Sequence, residues 1–244
     1  MKQTLCLASA LLILSFSPCH AGLMDDLYRE VLPSARQSVA LDNSTIAKGL
    51  KEALATGTER AVTEVAKPDG YFGNQLIKIL LPDKIQKVAE VLGTVGYQRQ
   101  VDQFVLSMNR AAEKAAPKAA AFFGDAIRQM SVEDAKGILN GGDTAATDYF
   151  SRKTRPKLFE AFKPTVTKSM NQVGTARAYK EMMGKYEANP LASLAGAPAL
   201  DLDSYVTNKA LDGLFKMVAN EEKQIRNNPA ARSSDLLRKV FGGK

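Results

Sequence analysis

The stretch Val101-Asp102-Gln103-Phe104-Val105-Leu106-Ser107-Met108-Asn109-Arg110 decides the fold class. Val101, Phe104, Val105 and Met108 recur at i, i+3, i+4 and i+7, the spacing that lines apolar side chains along one face of an α-helix. The same spacing returns on both sides of it. Ile46, Gly49, Leu50, Ala53 and Leu54 carry it upstream, followed by Ile85, Val88, Ala89 and Leu92. Phe123, Ala126, Ile127 and Met130 carry it downstream, and Leu211, Leu214, Phe215 and Val218 close the series. Each segment offers one apolar face to a shared core, so the pattern predicts an all-α protein: a single multi-helix domain with short helices.

The residues between these stripes punctuate them. Pro82 and Pro117 sit where first-turn prolines are tolerated. Ser131, with Asp134 three residues on, has the spacing of a capping box. Gly96, Gly141, Gly174 and Gly242 fall just past periodic runs, as C-terminal caps do. Pro156 and Pro164 each lack a backbone donor and clash with the preceding turn. They predict two or three short helices between Asp143 and Val173, or one kinked one. Leu76-Ile77-Lys78-Ile79-Leu80-Leu81 looks strand-like but has no partner strand, and reads as an extended connector. Asn189 to Leu200, with Pro190, Gly196 and Pro198, reads as the longest loop.

The first 21 residues bound the chemistry. Met1 to Gln3 is a short basic start, Thr4 to Phe16 is apolar, Pro18 breaks the run, and Cys19 and Ala21 occupy the −3 and −1 positions before Gly22. This is the three-part pattern of a cleaved secretory signal peptide, residues 1–21. Pro18 before Cys19 argues against a lipoprotein. The expected product is a periplasmic chain, residues 22–244, in which residues 22–41 form a loosely attached first helix. Cys6, Cys19 and His20 are the chain's only cysteines and histidine. Cleavage would leave no thiol and no imidazole, and so no disulfide and no basis for a structural zinc site. No metal and no cofactor is expected. No later stretch is apolar enough for a transmembrane helix in the mature chain. The full chain carries a net charge of +7, and Lys2 is the leader's one charged side chain.

Two regions carry candidate functional residues. Gly141, Gly142, Asp143, Thr144 and Thr147 lead into a helix N-terminus, with Arg152 and Lys153 two turns later. Free backbone N–H groups and the helix dipole favour an anion there, a phosphate or a carboxylate. The alternative is capping: Gly141 ends one helix, Asp143 or Thr144 starts the next, and Asp143 itself takes the anion position. The Gly-Lys-Ser/Thr element of a P-loop is missing. The second region is a basic surface. Arg152, Lys153, Arg155, Lys157, Lys163 and Lys168 fall within Ser151 to Lys168, where Glu160 is the only acid. They would face an anionic lipid or envelope component, with Phe150, Phe159 and Phe162 touching a membrane, or they form a solvated face over inward-packed phenylalanines. Nucleic acid is the weakest partner, because no recognition motif is present.

The remaining polar residues have plainer readings. Asp201 and Asp203 read as helix-start residues. Asp143 and Asp148 lack the aromatic platform of a carbohydrate site, since the chain has no Trp. Arg110 would either pair with Glu113 or another carboxylate, or be solvated. Tyr71-Phe72, between Gly70 and Gly73, is an apolar loop tip that either plugs into the core or meets a partner.

Several blocks resemble the bacterial domain-of-unknown-function family 4197. Pro68-Asp69-Gly70-Tyr71-Phe72-Gly73-Asn74 is similar to its early glycine turn, and Asn109-Arg110-Ala111-Ala112-Glu113 to a second block. Asp134 through Gly141-Gly142-Asp143-Thr144 to Tyr149-Phe150 resembles its most distinctive one. Lys209 to Phe215, and Asn228-Pro229-Ala230-Ala231-Arg232 with Val240-Phe241-Gly242, resemble its C-terminal signature. The resemblance implies an exported, mostly helical protein of proteobacterial type, and it carries over no activity and no catalytic residue. The expectation is an uncharacterised exported helical protein that binds an anionic or amphipathic envelope partner without catalysis. The alternatives are a structural or chaperone-like module that contacts another periplasmic protein, and a carboxylate hydrolase using Asp143, Asp148, Tyr149 or Arg152.

Overall fold

The computed structural model describes residues 42–173, 175–187 and 201–228. The expected leader, the first helix at 22–41, the loop Asn189–Leu200, Gly174 and Gly242 lie outside them. The described residues form α1 (Asn43–Ala66), α2 (Asp83–Thr94), α3 (Gln98–Ala115), α4 (Ala119–Gln129), α5 (Val132–Asn140), α6 (Ala145–Val173), α7 (Thr175–Glu187) and α8 (Leu202–Asn227), with a 3-10 turn (Ala116–Lys118) between α3 and α4. No strand occurs among them, and the protein is all-α.

The apolar stripes converge on α3, α6 and α8, which pack against one another. Phe104 and Met108 of α3, Phe150, Leu158 and Phe162 of α6, and Leu211 and Leu214 of α8 are fully buried. Phe123 of α4 stands 5.2 Å from Phe150 and 5.9 Å from Phe215, ring centre to ring centre. These are tilted and edge-to-face arrangements, which suit the ring quadrupoles. α6 and α8 run antiparallel: Thr147 meets Glu222 near one end, Arg155 meets Asp212, and Thr167 meets Asp203 near the other. Across the 3-10 turn, Ala111, Ala112, Ala115, Ala116 and Ala119 are all fully buried, and these small residues let α1 lie close against it.

Helix starts follow side-chain chemistry. Ser131 and Asp134 form the reciprocal capping box: Asp134 N–H donates to Ser131 Oγ at 3.0 Å, and Ser131 N–H donates to Asp134 Oδ2 at 3.1 Å. Asp42 caps α1 through Thr45 N–H, and Asp201 caps α8 through Ser204 N–H. The backbone N–H at each cap holds the aspartate below the ordinary carboxylate range.

Of the alternatives for Asp143 to Val173 the single helix is observed: Pro156 and Pro164 both lie inside Ala145–Val173. Each proline removes a donor to the residue four positions earlier, Arg152 and Glu160, and all four residues are exposed. Water can therefore satisfy the released carbonyls, while the buried face of α6 keeps its packing. Gly141 does end α5, but with φ −80° and ψ 179° it is extended rather than left-handed. A Cβ there would lie 2.6 Å from Ala145 Cβ, so the close approach of α6 is what requires glycine. Gly96, at φ 87°, does take the left-handed conformation past α2.

The turn from Lys67 to Asn74 is locked from below. Tyr71 is fully buried and its hydroxyl donates to Ala210 O at 2.6 Å. Gly213 of α8 lies under the ring, where an added Cβ would come 2.7 Å from Tyr71 Cε1. Phe72 stays half-buried, with Lys78 Nζ 4.0 Å above its ring. Beyond it the connector is held by fully buried Asn109 of α3, which acts as a surrogate strand. Asn109 accepts from Ile79 N–H and donates to Ile79 O, both at 2.8 Å. Ile77 and Ile79 point inward, while Leu76 and Leu80 are exposed.

Burial, and then the negative charges of Glu113 and Asp212, push the Tyr71 phenol far above its ordinary value. The folded protein therefore keeps its proton when the unfolded chain loses it. That stabilisation is complete below the unfolded value of about 10 and declines as pH rises through and above it. Tyr71→Phe is expected to lose about 1–2 kcal/mol at neutral pH through the missing hydrogen bond. Urea unfolding should also show a shallower fall in stability for the variant than for wild type from about pH 9 to about pH 11.

Candidate functional site

The junction between α5 and α6 presents the arrangement expected of an anion site, and the chain fills it itself. Ala146 N–H donates to Glu222 Oε1 and Thr147 N–H to Glu222 Oε2, each at 2.9 Å. Thr147 Oγ1 adds a third bond to Oε2 at 2.8 Å. The Arg226 guanidinium, one turn on in α8, donates to Oε1 through Nε at 3.0 Å and Nη2 at 2.9 Å, and its Nη2 also reaches Ile138 O at 2.7 Å. Helix-dipole and hydrogen-bond terms both favour a carboxylate at this position. The carboxylate comes from α8, and Asp143 stays exposed.

The predicted anion-binding residues divide accordingly. Thr147 belongs to the clamp. Gly141, Gly142 and Asp143 are exposed, and Thr144 Oγ1 reaches Asp148 Oδ2 at 3.4 Å. Lys153 turns onto the Tyr149 face, 5.9 Å above that ring, and Arg152 is exposed with no hydrogen bond or ion pair among the described residues. Glu222 and Arg226 escaped the sequence reading. One signal was present: Glu222 continues the buried stripe Leu211, Leu214, Val218, so an acid stands where the period requires an apolar residue.

A second clamp repeats the design. Glu113 Oε1 accepts from Tyr71 N–H at 3.2 Å and Phe72 N–H at 3.3 Å, and Oε2 accepts from Arg110 Nη1 at 2.7 Å. Arg110 Nη2 also holds Asp69 Oδ1 at 2.7 Å, so the pairing with a carboxylate is the observed state. The hydrogen bond that Arg110 donates to Glu113, ahead of the one it donates to Asp69, raises the guanidinium above its ordinary value. Asp69 itself sits at φ 64°, a left-handed conformation that aspartate tolerates.

The basic run on α6 is partly consumed by α8. Arg155 pairs with Asp212 at 2.6 Å, and Lys163 contacts Ser204 Oγ at 3.0 Å and Asp201 at 3.7 Å. Arg152, Lys153, Lys157 and Lys168 are exposed without an ion pair among the described residues. Lys153 and Lys157 line a groove of about 370 Å³ between α4 and α6, with Phe122, Asp125, Gln129 and Tyr149. Lys168 borders an open depression along the second half of α6 with Glu160 and Lys163. Phe150 and Phe162 are buried and Phe159 is half-buried.

The acids have local roles. Asp203 accepts from Thr167 Oγ1 at 2.6 Å, and Asp148 sits in the first turn of α6, where the dipole favours it. No cluster of three His, Cys, Asp or Glu side chains able to hold a metal occurs among the described residues.

Removing Glu222 would take away the carboxylate that neutralises the Arg226 guanidinium, whose side chain is only 11 % exposed. Glu222→Ala is expected to lose about 3–5 kcal/mol in urea unfolding. The vacated donors of Ala146, Thr147 and Arg226 would then form a real anion site. Phosphate should recover part of that loss relative to chloride at equal ionic strength, and should not stabilise wild type in this way.

No curated protein and no solved structure matches this chain. Residues 40–242 match the model of a family described as "Protein of unknown function (DUF4197)". That match covers both clamps, the connector and the basic run, and the chain belongs to this family.

Proposed function

We propose that this is an exported, non-enzymatic binding protein of the periplasm whose basic surface takes an anionic envelope partner. The observation that carries the reading is the set Arg152, Lys153, Lys157 and Lys168, which stand exposed on α6 without acidic partners among the described residues. Clustered exposed cations create a positive potential that gathers anions, and salt screens it. Export is supported by the three-part pattern of residues 1–21. Binding rather than catalysis is supported by the use of the buried acids. Glu113 and Glu222 have donors on both oxygens and hold helix ends and turns, so neither stands ready as a general base. The described residues contain neither histidine nor cysteine.

Arg152/Lys153/Lys157/Lys168→Glu should fold normally, because exposed substitutions usually shift stability by no more than about 0.5 kcal/mol each. Wild type should bind lipopolysaccharide micelles or float with phosphatidylglycerol vesicles at low salt. It should detach at about 1 M salt, where the Debye length is about 3 Å. The variant should bind at least roughly tenfold more weakly, the affinity equivalent of about 1.4 kcal/mol. Wild type binding neither surface, or the variant binding as tightly as wild type, would overturn the reading.

A further inference from the structure

We infer that the connector between α1 and α2 docks this protein on an anionic bilayer, with Leu76 and Leu80 entering the headgroup–acyl boundary and Lys78, Lys209 and Lys216 meeting the lipid phosphates. The inference rests on the proposed binding of an anionic partner, names that partner as a membrane surface, and adds a second contact region to the cations of α6.

Leu76 and Leu80 are 60 % and 58 % exposed, more than the other exposed large hydrophobics among the described residues, Val95 and Val132. Their exposure is imposed by the backbone. Leu76 N–H donates to Asn74 Oδ1, Ile77 and Lys78 N–H donate to Asn74 O, Asn109 holds both polar groups of Ile79, and Tyr205 Oη donates to Leu80 O at 2.9 Å. Alternation sends Ile77 and Ile79 into the core and leaves the two leucines outside. Rotating the connector to hide them would expose the isoleucines and break the Asn109 bonds. A rigid segment that holds two leucines in water has them available for an apolar partner.

The surroundings identify that partner. Lys78 from the connector and Lys209 and Lys216 from α8 line a shallow depression of about 250 Å³ with Leu76, Ile77, Ile79, Asp212 and Gly213. Asp212, its one acid, is already paired with Arg155 at 2.6 Å. Asp83, exposed at the start of α2, is the other acid nearby, acting on the Tyr205 phenol. The patch therefore sets exposed Leu76 beside three lysines, with exposed Leu80 four residues on. A soluble polyanion would satisfy the lysines but give the leucines nothing to enter. An anionic bilayer supplies phosphates for the lysines and hydrocarbon for the leucines, and each lysine close to such a surface strengthens binding by roughly fivefold.

The chain has no tryptophan, so Leu76→Trp and Leu80→Trp in the full chain are single-tryptophan reporters. With phosphatidylglycerol vesicles, both should shift emission to the blue and be quenched by brominated acyl chains. A Val132→Trp control, away from the connector, should do neither. Leu76→Ser/Leu80→Ser should reduce flotation at least tenfold while leaving binding to soluble inorganic polyphosphate unchanged. Lys78/Lys209/Lys216→Gln should reduce flotation at least tenfold, and the remainder should lose its dependence on lipid charge only when Arg152/Lys153/Lys157/Lys168→Gln is added. Tryptophans that stay in water while the protein floats would overturn the docking and leave the basic-surface reading standing. So would polyphosphate or lipopolysaccharide binding without any flotation, or crosslinking from position 80 to a protein in place of lipid. Binding to none of these anions would overturn both.

Discussion

The Glu222 carboxylate holds together parts of the chain that no apolar contact could orient so narrowly. It takes the first free N–H groups of α6 at Ala146 and Thr147, and through Arg226 it reaches Ile138 O in the last turn of α5. One buried side chain thus ties the end of α5, the start of α6 and the last turns of α8. A lone charge at that depth would be strongly unfavourable, and an isolated ion pair would roughly break even. The difference here is the additional donors and the dipole of a 29-residue helix aimed at the carboxylate. Apolar packing of α6 on α8 would tolerate some sliding of one helix along the other. The clamp removes that freedom, and so sets which residues of α6 face α8: Arg155 opposite Asp212, Thr167 opposite Asp203.

The Glu113 clamp solves the same problem for a turn. Both clamps use a glutamate, an arginine within one helical turn, and two successive backbone N–H groups from another element. Glu113 holds the N–H groups of Tyr71 and Phe72, and the Tyr71 ring then settles on Gly213 with its hydroxyl on Ala210 O. The connector that follows inherits its position from this anchor and from Asn109. Its leucines are exposed on a backbone held at Leu76, Ile77, Lys78, Ile79 and Leu80, not on a loosely held segment. Rigidity in this region depends on Asn109 and Glu113, two of the buried polar residues of α3.

The helices were legible in the sequence because a 3.6-residue period is a local property: Phe104 and Met108, or Leu211 and Leu214, declare their face without reference to anything distant. The Ser131–Asp134 box was legible for the same reason. What could not be read locally was decided by a partner or by solvent. Pro156 and Pro164 looked like breaks or a kink because the stereochemistry of proline is local, whereas the relief of the lost bonds depends on those carbonyls facing water. The glycines at 141 and 142 marked the boundary between two helices, and the N–H groups just beyond it, at Ala146 and Thr147, hold a carboxylate. The anion lies 75 residues away along the chain, and only the acid interrupting the α8 stripe hinted at it. The Tyr71-Phe72 tip was ambiguous until Gly213 supplied the space into which Tyr71 fits.

This allocation of acids also shapes the surface. Glu113 and Glu222 are buried in clamps, and Asp42, Asp134 and Asp201 cap helix starts. Asp212 and Asp203 tie α8 to α6. Cations have fewer structural positions to fill, since helix N-termini repel them, and the arginines enlisted internally, Arg110 and Arg226, serve the clamps. Among the described residues, the cations left without acidic partners therefore face outward, on α6 and around the connector. Architecture built from N-terminal caps and carboxylate clamps segregates charge by sign, placing acids at helix ends and lysines in water. A surface positive for that reason attracts anions of many kinds. The membrane docking proposed above adds one requirement to charge, because Leu76 stands beside three lysines and Leu80 is exposed four residues on, and a partner with hydrocarbon beneath its phosphates would answer both.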